Sequence, residues 1–90
     1  MTAPNPDRAQ LVGLVRAVVG EILPGVPRTE ITEDRHPREL GADSVDRVEI
    51  VLTLIERLNL DRPMSDFNDL PNLGALVDLI ASDVAKGSPA

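Results

Sequence analysis

The sequence predicts an all-α domain: a small four-helix bundle of three longer helices and one short one, with a long loop between helices I and II. Three observations carry that expectation. Apolar residues recur at i, i+3 and i+4 in three proline-free windows, and no stretch shows the strict alternation of a half-buried strand. Leu, Ile, Val and Phe together make up 28 of the 90 residues, enough aliphatic material for one core.

The first helix falls in the window 7–23. Leu11, Leu14, Val15, Val18 and Ile22 line one face, and Val12 and Val19 widen it. Asn5 reads as the N-cap with Pro6 at the first helical position, Asp7 suits the positive end of the dipole, and Pro24-Gly25 ends the helix. Residues 24–43 read as a loop without regular structure, anchored by Ile31 and Leu40, with His36 solvated in its polar middle.

The second helix runs from Ser44 to about Leu60. At ~100° per residue, Val45, Val48, Val51, Leu52, Ile55 and Leu58 share one side, with Ile50 and Leu54 beside them. Arg47 interrupts that side in the first turn. An apolar arc wider than half the cylinder predicts a helix packed on two sides or lining an internal groove. Residues 61–71 hold one short helical turn with Met64, Phe67 and Leu70 at its buried edge. The last helix occupies 72–86, capped by Asn72, with Leu73, Leu76, Val77, Ile80 and Val84 inward. Residues 1–90 thus read as a single domain with a core of about 7–86 and flexible ends at 1–5 and 87–90.

Composition excludes several functions. Nine basic against fifteen acidic residues, a net charge of −6 and a single aromatic residue argue against a nucleic-acid partner. Without cysteine there is no disulfide framework, thiolate metal site or thiol nucleophile. No apolar run approaches the ~20 residues of a membrane span, and MTAPNPDRAQ lacks a signal-like region, so the chain is expected to be cytoplasmic. Asp66-Phe67-Asn68-Asp69 has calcium-ligand chemistry, but Pro71 stands where an EF-hand loop needs glycine, so no metal site is expected.

One segment concentrates unusual features. Gly41-Ala42-Asp43-Ser44 forms a turn that opens the second helix, so the Ser44 hydroxyl is either a helix cap or an exposed group. The free N–H groups of that helix favour an anion. Asp43, Asp46 and Glu49 make its near side acidic.

Leu40-Gly41-Ala42-Asp43-Ser44-Val45-Asp46-Arg47-Val48-Glu49-Ile50 resembles the phosphopantetheine attachment motif of acyl carrier proteins: an Asp-Ser pair, an aliphatic residue, then Val-Glu-aliphatic one turn later. The likeness of helical order spans roughly residues 8–86. It implies an acyl-carrier-like bundle and a non-catalytic role. It also implies that Ser44 is modified by a phosphopantetheinyl transferase with coenzyme A as donor of a covalent 4'-phosphopantetheine, with Asp43 helping to dock that enzyme. The reactive sulfur would then belong to the cofactor, consistent with a chain that has no cysteine. The resemblance further implies a partner-binding face of Val45, Asp46, Arg47, Glu49 and Ile50, an acyl-lining set of Val48, Leu52, Ile55 and Leu76, and a protein that is monomeric alone.

Arg47 and Arg57 dilute the acidity of the second helix, and Val45 replaces the leucine most common after the serine. These departures point away from fatty-acid synthesis and towards polyketide biosynthesis, with acyltransferase, ketosynthase or hydroxymethylglutaryl-synthase-like partners. The run Asp43 to Ile50 is similar to free-standing carriers of β-branching cassettes, which present an acetyl group to a hydroxymethylglutaryl-synthase-like enzyme. Arg47 would help to specify that partner, or would simply pair with Asp43 on the helix surface. Three alternatives stand beside it: a fatty-acid carrier; a peptidyl carrier, whose Gly-Gly-x-Ser is broken by Ala42; and an unmodified helical adaptor in which Ser44 only caps. A hydrolase reading is weaker still, because Ala42 and Asp46 occupy the glycine positions of Gly-x-Ser-x-Gly.

Overall fold

The computed structural model describes residues 6–86, with side chains as far as Val84; the terminal segments expected to be flexible lie outside the described residues. Three α-helices, α1 (Arg8–Ile22), α2 (Ser44–Leu58) and α3 (Leu73–Lys86), alternate with three 3-10 turns, Arg28–Glu30, Pro37–Leu40 and Met64–Phe67. No strand occurs among the described residues, and no helix there is long and apolar enough to cross a membrane. The short helix expected in 61–71 is the 3-10 turn Met64–Phe67, so the α-helices among the described residues number three.

The core forms where α1 meets both α2 and α3. Leu11, Val15, Val18 and Val19 supply it from α1, Ile50 and Leu54 from α2, and Leu73, Leu76, Val77 and Ile80 from α3. Ile31, Leu40 and Phe67 close it from the connections. Helix α1 begins later than the Asn5-Pro6 reading placed it. Asp7 is the cap, accepting from the Gln10 N–H at 2.8 Å, while the Gln10 side chain accepts from the Asp7 N–H at 2.9 Å. Asn5 itself lies outside the described residues.

The connection 24–43 is not the irregular loop expected from its composition. Its two 3-10 turns and the Ile31 and Leu40 anchors hold it in place. It is also bonded to the start of α3. Leu73 N–H donates to the Arg35 carbonyl at 2.9 Å and Gly74 N–H to the Glu33 carbonyl at 2.8 Å, which satisfies donors that a helix N-terminus leaves free. A Cβ on Gly74 would stand 3.2 Å from that Glu33 oxygen, closer than ordinary van der Waals contact, so glycine permits the approach. Arg8 completes the join, reaching Glu33 at 2.6 Å and Asp78 of α3 at 2.9 Å. Asn72 caps α3 through its side-chain oxygen, 2.8 Å from the Ala75 nitrogen.

Candidate functional site

Helix α2 is entered through Gly41, whose φ of +91° is the left-handed conformation that glycine adopts without steric cost. Asp43, not Ser44, is the N-cap. Its carboxylate accepts from the Asp46 N–H at 2.8 Å, and the Asp46 carboxylate accepts from the Asp43 N–H at 3.3 Å. This reciprocal pairing places Ser44 at the first helical position, exposed, with its hydroxyl released from capping. The N–H groups of the first two helical residues, Ser44 and Val45, have no intrahelical acceptor.

The expected centre of the α2 apolar face is displaced by about one residue step, ~100° around the helix. The side facing the core is Ile50 and Leu54, 1% and 0% exposed. Val45, Val48 and Leu52 are 63%, 45% and 42% exposed and continue from Ser44 as a surface stripe. Of the expected partner face, Val45 and Glu49 are exposed, and Asp46 and Arg47 are half-buried. Ile50 is in the core and is unavailable to a partner. Of the expected acyl-lining set, Val48 and Leu76 border the cavity described next, whereas Leu52 is on the surface and Ile55 packs against the core away from it.

Beside Ser44 opens a cavity of about 330 Å³. Helix α2 contributes Arg47, Val48, Ile50 and Val51; the 3-10 turn contributes Met64 and Phe67; α3 contributes Leu73 and Leu76. His36 and Pro37 supply another wall. Periodicity could not assign these last two, because they come from the connection and not from a helix face.

Two polar residues of the wall depart from expectation. His36 is half-buried instead of solvated, and its Nδ1 accepts from the Arg38 N–H at 3.0 Å as the cap of the 3-10 turn Pro37–Leu40. Burial, and then the positive charges of Arg38 and Arg47, push the imidazole below its ordinary pKa. Arg47 forms no ion pair with Asp43, whose carboxylate is engaged in the cap, and its Nε is buried without a hydrogen-bond partner. Elsewhere Arg57 pairs with Glu21 of α1 at 3.0 Å, and Asp66 pairs with Arg62 at 2.9 Å. Among the described residues no cluster of three or more His or carboxylate groups could hold a metal ion.

Residues 13–80 match the family model described as a phosphopantetheine attachment site. An acyl carrier protein of Guillardia theta is 36% identical over 72 residues, covering 79% of this chain and 88% of the relative. The polyketide biosynthesis acyl-carrier-protein AcpK of Bacillus subtilis is 30% identical over 78 residues, covering 87% and 95%. An acyl carrier protein of Saccharopolyspora erythraea is 32% identical over 81 residues, covering 89% and 84%. With a family match over most of its length and relatives of this identity and coverage, the chain belongs to the acyl carrier proteins, non-catalytic carriers with a covalently attached 4'-phosphopantetheine group.

Proposed function

We propose that the arm is attached at Ser44 and that residues 1–90 act as one cytoplasmic, monomeric carrier domain that delivers acyl groups to partner enzymes of polyketide biosynthesis. The observation that carries the attachment is the exchange of roles at the α2 N-terminus, where Asp43 caps the helix and leaves Ser44 exposed at its first position. The residues fit the group: the free N–H groups there favour a phosphodiester, and the adjoining cavity offers space beside it. When bound, the arm supplies a terminal thiol that holds acyl groups as thioesters. The chain itself provides position and recognition and no acid or base. Val45 and Glu49, exposed beside Ser44, form the docking face, joined by Leu52, which lies on the same stripe.

The polyketide assignment is supported by the relation to the Bacillus subtilis carrier and by Arg47 and Arg57 on α2. Within it we place the chain as the acetyl donor to a hydroxymethylglutaryl-synthase-like partner. Incubation with coenzyme A and a broad-specificity phosphopantetheinyl transferase should add one phosphopantetheine mass by intact-protein mass spectrometry, and none to Ser44→Ala. The acetyl-loaded protein should then lose its acetyl group to the partner enzyme. Loading without transfer would leave a general acyl carrier, in keeping with the Guillardia theta relative.

A further inference from the structure

The cavity beside Ser44 is unusual for a protein of this charge. The chain has fifteen carboxylates and a net charge of −6, yet not one Asp or Glu borders this space. Its charged member is Arg47. That residue stands three and seven positions before Ile50 and Leu54, in the register that α2 presents to the core, where an aliphatic side chain would be the ordinary choice. Arg47 instead borders the cavity, and its buried Nε–H has no acceptor. A buried donor without a partner costs free energy that an incoming acceptor would recover.

The neighbouring groups act in the same sense. The Nδ1 of His36 already accepts from the Arg38 backbone, so a neutral ring carries its proton on Nε2 and has only a donor left to offer. Asn72 has its oxygen engaged in capping α3, which leaves its amide N–H₂ as the free end. The groove on the far side of the core, lined by Arg16, is different. The Arg16 Nε is likewise buried without a partner, but its Nη2 donates to the Arg28 carbonyl at 2.9 Å and the lining includes the carboxylates of Glu33 and Asp34, so only the space beside Ser44 is free of acidic groups.

We propose that this cavity selects short acyl groups that carry their own acceptor oxygen beyond the thioester (an oxo, hydroxyl or carboxylate oxygen) over saturated chains of equal length, with the Arg47 Nε–H as the principal donor. The apolar wall of Val48, Phe67 and Leu76 takes the carbon chain. The volume of about 330 Å³ lies near the lower end of the range for small-molecule sites, ~300–1,000 Å³, and so favours a short chain. This inference rests on the attachment of the arm at Ser44.

The test compares three forms of the protein made with the transferase: the unacylated arm, the butyryl form and the acetoacetyl form. Mass spectrometry first establishes loading at Ser44; failure at that step defeats the attachment reading. The Arg47 Nε–H is then followed by nitrogen–proton NMR. The acetoacetyl form should move this resonance and slow its solvent exchange about tenfold relative to butyryl, as one charge-assisted hydrogen bond requires. In Arg47→Met the two acyl forms should perturb the Val48 and Leu76 methyl groups alike. Equal Arg47 behaviour in the butyryl and acetoacetyl forms would overturn the proposal. So would a shift already complete with the unacylated arm, which would assign the donor to the phosphodiester.

Discussion

Asp43 caps α2 and leaves Ser44, the proposed attachment residue, without a capping task. Because Asp43 supplies the cap, Ser44→Ala should leave the denaturant midpoint essentially unchanged, whereas loss of the Asp43 side chain should cost about 1 kcal/mol of stability. Chemical denaturation of the two variants checks this. His36 makes a separate prediction. Burial holds its pKa below the ordinary 6.5, so the folded chain resists a proton that the unfolded chain accepts. Stability from this source is present above pH ~6.5 and is lost as pH falls below it. Urea midpoints between pH of about 7.5 and 5.5 should therefore decline, and His36→Asn, which retains a capping side chain, should flatten the decline. The depressed carboxyls of Glu21 and Asp34 make their own loss only lower, below the 4.5 and 3.8 of their ordinary values.

Helix α2 shows where periodicity stops being informative. Its apolar residues cover more than half the cylinder, so the pattern defines a helix without defining which part of the arc faces inward. Packing against α1 selects Ile50 and Leu54 and turns Val45, Val48 and Leu52 outward. Leu54→Ala should therefore cost about 2–5 kcal/mol, while Leu52→Ala should change stability by less than about 0.5 kcal/mol, as read from thermal or denaturant unfolding. The first and last helices were legible because their apolar stripes are narrower and their ends carry local punctuation, Pro24-Gly25 for α1 and Asn72 for α3. The cap of α1 falls at Asp7, two residues beyond the Asn5 reading, because Asp7 and Gln10 form a capping box there. The attachment motif was readable as a contiguous run. Its cavity was not, since His36, Met64 and Phe67 reach it from segments with no shared period.

The assembled molecule depends on joins that a linear reading does not register. The donors that bind the 24–43 connection to α3 are backbone groups, which carry no residue-specific signature. Arg62 performs a similar service for the other connection. It grips Asp83 of α3 with two hydrogen bonds of 2.6 Å each and Asp66 with a third at 2.9 Å. At 23% and 14% side-chain exposure, Arg62 and Asp83 are sheltered enough for the pair to matter. Arg62→Ala should lower the midpoint in denaturant titrations, and Arg62→Lys, which loses the two-pronged grip on Asp83, should recover only part of the loss. Arg62→Ala should also broaden the NMR signals of Met64 and Phe67 as the turn loosens.

The capping arrangement at the head of α2 has a consequence for modification. On the attachment proposed at Ser44, the cap that starts α2 is complete before any arm is added, so the helix offered to the transferase does not wait on its own modification.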